Sequence, residues 1–354
     1  MRLVEVDHVV ELVRRKGLGN LLRELADYIA ADYGRWPEFD KSPRYASHSP
    51  GGVIELMPIA DGRDFGFKYV NGHPANQAAG LQTVTGFGVL ADVATGYPRL
   101  IAEMTIMTAL RTAAMSALAA TYLARPGART MAIIGLGAQA EFQAEAFRAL
   151  LGIDRLHIFD VDPAATAKFR ANMAGRDFAI TVAPSAQEAV EGADIVTTVT
   201  ADKKRATILS DNMIGSGMHI NAVGGDCPGK TELQPDILDR ASVFVEYLPQ
   251  TRIEGEIQQK PADFPATELW RVIAGEAPGR AHRDEITLFD SVGFAIEDFS
   301  ALRYLDDMVG EAGLFSTIDL LARPTDPRDL FGVLAGTGPA RTADGADILV
   351  ARRA

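Results

Sequence analysis

Two segments of this chain carry residue types at spacings that could do chemistry. In the first, Gly135, Gly137 and Ala140 follow the apolar run at 131–134. They form a G-x-G-x-x-A turn between a buried strand and a helix. The first glycine permits the turn, the second lets a pyrophosphate approach the backbone, and the small third residue lets strand and helix pack closely. The helix N-terminus offers free N–H groups and a positive dipole end to the phosphates. Asp160 ends a second strand 25 residues beyond Gly135. A carboxylate there can accept hydrogen bonds from an adenosine ribose diol and would repel a 2′-phosphate. The pattern therefore predicts a dinucleotide site that takes NAD rather than NADP.

The second segment is HINAVGGDCPGKTEL at 219–233. It leaves a strand through Gly224 and Gly225 and places Asp226 just past the strand's carboxyl end. That edge of an open α/β sheet is where ligands bind. The two glycines would let a nicotinamide ribose lie against backbone, and Asp226 would handle protons at the reacting carbon. A turn residue binding local N–H groups before Pro228 is the competing reading. Arg111 sits on an otherwise apolar helix and needs an anion there. A protein carboxylate, a substrate carboxylate or a cofactor phosphate would each serve. Lys68 lies between Phe67 and Tyr69 on a strand and on its own reads as solvent-facing. Arg44 on its own reads as a loop residue. Six histidines without ligand spacing, and one cysteine, predict no metal site and no intrachain disulfide.

Two kinds of element must position these groups. Residues 1–31 read as amphipathic helices. Segments 53–57, 65–70, 86–93 and 98–104 read as short strands, the last two joined by the turn at 94–98 as a hairpin. A helix at 107–124 is apolar nearly all round, hence buried. From 129 onward strands alternate with helices. The strands are expected at 131–134, 156–159, 195–199, 218–223, 243–247 and 286–290, which argues for a parallel, doubly wound sheet. Helices are expected at 142–151, 164–173 and 295–309, and a further one to 321. A strand at 348–350 is the one core pattern in the tail.

The length of 354 residues suits two domains, and 47% hydrophobic with 23% charged residues is ordinary for a globular protein. A net charge of −12 argues against nucleic acid or an anionic membrane as partner. The apolar stretch at 112–124 is too short to span a bilayer, and acids inside the first apolar stretch argue against a signal peptide. The expected location is the cytoplasm.

Five segments together resemble the ornithine cyclodeaminase family, in the superfamily that includes mu-crystallin and an alanine dehydrogenase. They are FKYVNGHP at 67–74, GLGAQ at 135–139, NAVGGDCPGKTEL at 221–233, PQTRIEG at 249–255 and FDSVGFA at 289–295. The resemblance covers nearly the whole chain. It implies a Rossmann-type doubly wound sheet plus a discontinuous α+β domain for substrate binding and dimerisation. The expected division is 1–112 with 310–354 for the latter and 113–309 for the NAD-binding domain. It implies that Arg44, Lys68, Arg111 and Val292 meet the substrate and that Asp226 is the acid/base. Thr83, Arg111, Gly135, Gly137, Ala138, Gln139, Asp160, Thr200, Val223, Gly224, Gly225, Lys230 and Ser291 would line NAD.

The implied reaction converts L-ornithine to L-proline and ammonia in a homodimer. The α-hydride leaves to NAD, the δ-amine attacks C2, ammonia departs and the hydride returns. A net amino-acid dehydrogenase or ketimine reductase on the same scaffold, a lysine cyclodeaminase, and a mu-crystallin-like binding protein are the alternatives. Retention of Asp226 with all three cations argues against the last.

Overall fold

The structure is a computed structural model and describes residues 1–201 and 206–335. Two eight-stranded sheets organise them.

The first sheet runs, edge to edge, Ser316–Thr317, Arg2–Val4, Pro98–Glu103, Gly86–Asp92, Asp64–Gly72, Gly52–Ala60 and Asp40–Lys41, with Tyr45–Ser49 also on Gly52–Ala60. Its central strands are antiparallel. Strand Asp64–Gly72 explains the two faces. Gly66, Lys68 and Val70 point inward, while Phe65, Phe67 and Tyr69 are exposed or half-buried on the other side, as period-2 alternation requires. Lys68 is thus buried, not solvent-facing. A Cβ on Gly66 would come within 3.0 Å of Phe299, and one on Gly88 within 2.9 Å of Leu302. Both glycines let the helix Ala295–Ala312 lie close on the inner face.

The second sheet runs Ala179–Val182, Arg155–Phe159, Thr130–Ile134, Ile195–Thr198, His219–Ala222, Ile286–Asp290, Ala241–Val245 and Thr267–Glu268, parallel throughout. The strand order reverses direction between Thr130–Ile134 and Ile195–Thr198. That is the topological switch point of a doubly wound sheet. The expected strands all form within a residue or two. Ala179–Val182 was not anticipated, because its half-exposed edge position leaves no apolar signature.

Helix Thr105–Leu123 joins the two halves. It packs on Leu18–Gly34, on Ala140–Leu151 and on strands His219–Ala222 and Ile286–Asp290. Partners on every side explain an apolar surface all round. By length and composition it could cross a membrane, but most of it is enclosed here.

Helix Ala295–Ala312 contacts the first sheet and Leu18–Gly34. The chain therefore meets the first sheet again directly after Ile286–Asp290, ahead of the expected 309/310 division. The further helix expected to reach 321 does not form. Gly313, at φ +65°, stops the preceding helix. Ser316–Thr317 then pairs antiparallel with Arg2 and Leu3. The partner strand Arg2–Val4 needs that cover at the sheet edge, and tertiary pairing overrides local helical preference. The strand expected at 348–350 lies outside the described residues.

Candidate active site

The carboxyl ends of the second sheet face the inner side of the first. The three cations singled out in the sequence meet there. Arg44 leads into strand Tyr45–Ser49 and crosses to the end of Ile286–Asp290. Its Nη2 donates to the carbonyls of Val292 (2.7 Å) and Gly293 (2.6 Å), and its Nη1 to Glu55 Oε2 (3.1 Å). Its Nε lies 3.1 Å from Glu254 Oε2. Lys68 Nζ donates to Asp298 Oδ1 at 2.9 Å. Arg111 Nη1 donates to Glu297 Oε2 at 2.6 Å, and its Nε lies 2.9 Å from Asp298 Oδ1. Asp298 thus ties Lys68 to Arg111. Protein carboxylates hold Arg111, and each cation keeps N–H groups beyond those engaged.

The acids come from places where polarity interrupts an apolar pattern. Glu55 lies among Val53, Ile54 and Leu56. Glu246 follows Ala241–Val245. Glu297 and Asp298 occupy the first turn of Ala295–Ala312, where their charge also suits the helix dipole. Sequence reasoning passed over all four, although a buried acid in an apolar run is the signal that finds them. Glu246 binds the loop at the end of Ile286–Asp290, accepting from Ser291 Oγ (2.7 Å), Gly293 N (3.1 Å) and Val292 N (3.2 Å). Gly293 must be glycine. Its φ is +75°, and a Cβ would sit 2.8 Å from Arg111 Nη1.

Burial and neighbours set the protonation. Burial pulls Lys68 down to about 8, helped by the charges of Arg111 and Arg44 and opposed by Asp298. Burial pushes Glu297 up to about 8 against the pull of Arg111 and raises Glu246. It pushes Glu254 up to about 7, where Arg44 opposes and Glu55 and Asp226 reinforce the shift. Arg44 and Arg111 stay charged: burial disfavours the charge, but the surrounding carboxylates outweigh it.

Asp226 stands differently. Its side chain is 54% exposed, and it pairs with Lys230 Nζ at 3.3 Å. Among the described residues no backbone N–H binds its carboxylate, unlike the turn residue considered above. Its charge acts on both Arg44 and Glu254, so it faces the same basin. A cleft of about 520 Å³ opens alongside, lined in part by His48, Gly52, Pro74, Ala201, Cys227 and Pro228.

The glycine turn of the second sheet can take a dinucleotide. Gly135 adopts φ +98°, and a Cβ there would meet the Val199 backbone at 2.9 Å. A Cβ on exposed Gly137 would meet nothing within 4 Å, and with its carbonyl held by Lys168 Nζ at 2.8 Å its N–H side is left for an incoming phosphate. Ala138 is exposed beside it, and Gln139 precedes helix Ala140–Leu151 without capping it. Gln139 Oε1 and Thr83 Oγ1 are buried without a protein partner, as groups awaiting a ligand would be. Asp160 does more than end its strand. Its Oδ2 accepts from Leu136 N (2.6 Å) and its Oδ1 from Asp162 N (2.8 Å), so it also sets the glycine turn.

Gly224 and Gly225 are glycines for a reason the sequence did not reveal. A Cβ on Gly224 would lie 2.1 Å from the Glu232 carboxylate, and one on Gly225 would lie 2.6 Å from Glu256 Oε1. Glu232 accepts from Thr200 N at 3.0 Å and from Thr200 Oγ1. Glu256 accepts from the backbone of Glu232 and Leu233. Lys230 Nζ reaches Thr200 O at 2.9 Å, and Val223 N and Gly224 N both donate to Thr198 O. Thr200, Val223 to Gly225 and Lys230, expected from the sequence to line NAD, therefore form one braced turn, and Asp226 projects from it.

A doubly wound sheet with an open glycine turn thus faces three buried cations and a projecting carboxylate. Residues 6–313 match the ornithine cyclodeaminase/mu-crystallin family, and the chain belongs to it. The chain is 64% identical over 331 residues to the ornithine cyclodeaminase of Brucella suis biovar 1 (strain 1330), covering 94% of this chain and 92% of that one. Among solved structures, a lysine cyclodeaminase studied for its recognition of L-lysine, L-ornithine and L-2,4-diaminobutyric acid superposes with a TM-score of 0.88. It is 32% identical and covers 94% of this chain and 98% of its own. An archaeal alanine dehydrogenase dimer with bound NAD gives a TM-score of 0.83 at 30% identity, covering 91% and 99%.

Proposed function

We propose that this chain converts L-ornithine to L-proline and ammonia with NAD held as a catalytic cofactor. The observation that carries the reading is the meeting of Arg44, Lys68 and Arg111 beside Asp226, at the carboxyl edge of the sheet that bears the glycine turn. The 64% identity to an ornithine cyclodeaminase supports it. So does the charge of the basin. The three cations are matched by Glu55, Glu254, Glu297 and Asp298, with Glu246 and Asp226 close by. A site so rich in acids suits a substrate that brings a second ammonium better than a neutral amino acid such as alanine.

Gly135, Gly137, Ala138 and Gln139 would hold the pyrophosphate, Asp160 the adenosine ribose, and Thr83, Arg111, Thr200, Val223 to Gly225, Lys230 and Ser291 the remainder. NAD, when bound, supplies a hydride acceptor that can return the same hydride. The residues of the chain do the rest. The free N–H groups of Arg44, Lys68 and Arg111 bind the substrate carboxylate and fix C2, with Val292 against the substrate. Asp226 takes a proton from the substrate's amine, which must be neutral to attack C2. Intramolecular attack gains from proximity. The exposed apolar face of the first sheet, with Tyr45, Ile54, Leu56, Phe65 and Phe87, supports a homodimer joined there.

The test is stoichiometry. With substoichiometric NAD, L-ornithine should give proline and ammonia in equal amounts without accumulation of NADH. NADH formed mole for mole with product would replace this reading with a net dehydrogenase.

A further inference from the structure

The reaction proposed above, on which this inference rests, borrows two protons and returns both. Monocationic ornithine becomes zwitterionic proline plus ammonium, so atoms and charge balance with no net proton exchange. The α-ammonium must lose one proton so that its lone pair can form the C=N bond as the hydride leaves C2 with its electron pair. The δ-ammonium must lose another so that its nitrogen can bond to C2. A proton then passes from the ring nitrogen to the α-nitrogen, the C2–N bond breaks towards the α-nitrogen, and ammonia departs. The hydride returns to C2 with the same electron pair. Of the borrowed protons, one ends on ammonia and one on the ring nitrogen. Asp226 can hold one of them at a time.

We infer that Glu254 holds the second proton, as the buried partner of Asp226 beside Arg44. Glu254 closes helix Leu248–Glu254 within PQTRIEG, a segment to which the functional reading gave no role. Its side chain is 8% exposed. Its Oε2 and the facing Arg44 Nε are 3.1 Å apart, yet both are buried without a hydrogen bond. A buried carboxylate oxygen without a donor costs free energy, and taking up a proton relieves that cost at the expense of the ion pair with Arg44. Each other acid of the basin accepts at least one hydrogen bond, although Asp298 Oδ2 is also buried without one. Glu246 accepts three hydrogen bonds. Glu297 accepts from Arg111, Tyr33 and Phe294 N, Asp298 from Lys68 and Glu55 from Arg44. The charged groups that face Glu254 are Arg44, Glu55 and Asp226. Burial foremost brings it to about 7, where taking up a proton and giving it back are both cheap near neutral pH.

The experiment uses the full-length, NAD-loaded protein with L-ornithine, comparing wild type with Glu254→Gln and Glu254→Asp. Glu254→Gln keeps the shape and removes the base. Its kcat should fall about 10²-fold, the lower end for an acid–base group because Asp226 remains. The acid limb of the kcat profile near pH 7 should disappear, and KM should hold. Glu254→Asp should restore the limb. Calorimetry of L-ornithine binding to NADH-loaded protein, in buffers of different ionisation enthalpy, gives a readout without turnover. Wild type should release at pH 7 a fraction of a proton that Glu254→Gln does not. Unchanged kcat and acid limb in Glu254→Gln would overturn the inference. So would a raised KM with kcat and limb unmoved, which would make Glu254 a support for Arg44. If Glu254→Gln does not fold, a shifted acid limb in Glu254→Asp supports the role and an unshifted one overturns it. Wild-type protein that makes no proline removes the underlying reading itself.

Discussion

Asp226→Asn should separate chemistry from folding more cleanly than any other change in this protein. The substitution preserves size and removes the base. Its structural cost follows from exposure. The side chain is 54% exposed, and its contact to Lys230 Nζ spans 3.3 Å. A pair with one partner so open contributes about 0–1 kcal/mol. In a chain of this size that is a Tm shift of roughly 1–2 °C at most. Lys230 stays in place, because its Nζ also donates to Thr200 O, so NAD affinity should change little. Turnover should fall by about 10²–10⁴-fold, the usual contribution of a positioned acid–base group, which is roughly 3–5 kcal/mol of barrier. The activity loss thus exceeds the stability loss several-fold. Proline formation at saturating ornithine, a thermal melt and an NAD titration on the same preparation check all three. A variant that keeps more than a tenth of wild-type turnover would make Asp226 a turn residue. A melt lowered by more than about 10 °C would refute the reading of its exposure.

Three further outcomes follow from the geometry. Asp160→Ala should weaken NAD and relax discrimination against NADP. It should also destabilise by about 1–3 kcal/mol, because the buried Leu136 N–H loses its acceptor; equal use of both cofactors by wild type would contradict the assignment. Lys68→Met removes a charge-assisted substrate contact worth about 1.5–3 kcal/mol, or roughly 10–100-fold in kcat/KM, with NAD binding unchanged. Because burial and Arg111 bring Lys68 down to about 8, its charge is present below that pH and lost above it. KM for ornithine should therefore rise on the alkaline side in wild type, and this part of the rise should vanish in Lys68→Met. Gly293→Ala forces a side chain into positive φ against Arg111, at a cost of about 1–3 kcal/mol. It should raise KM for ornithine and lower Tm; a neutral result on both would refute the role given to that turn.

Much of this was legible in the chain because local pattern and tertiary demand agree. The central strands of the second sheet are buried on both faces and read as apolar runs, and Gly135 and Gly137 mark their turn. Asp226 stood out by its position after a strand. Lys68 and Arg44 did not stand out by pattern. Alternation places Lys68 on one face of its strand with Gly66 and Val70, but nothing local says that a helix with Glu297 and Asp298 will cover that face. Arg44 looks like a loop residue until the end of Ile286–Asp290 arrives beside it. The motif resemblance supplied what periodicity lacked. The glycines at 224 and 225 illustrate the opposite case: the residue type was noticed, but its cause lies beneath the turn, in Glu232 and Glu256.

The proposed substrate grip is built across a seam, and this constrains how the protein can work. Arg44 comes from the first-sheet side, yet two of its N–H bonds end on the Val292 and Gly293 carbonyls of the second-sheet side. Glu246 holds the N–H groups of those same residues from beneath. Arg111, on the helix packed against both halves, pairs with Glu297 and Asp298 on the helix that lies over the first sheet. A rigid-body opening of one half from the other would therefore break buried charge-assisted bonds, each worth about 1.5–3 kcal/mol. Exchange of substrate and product is better served by the exposed side of the basin, past Asp226 and the adjoining cleft. In that arrangement ornithine and proline can pass without disturbing the braced turn at 223–225. A cofactor that must give back its hydride to the same carbon requires that separation.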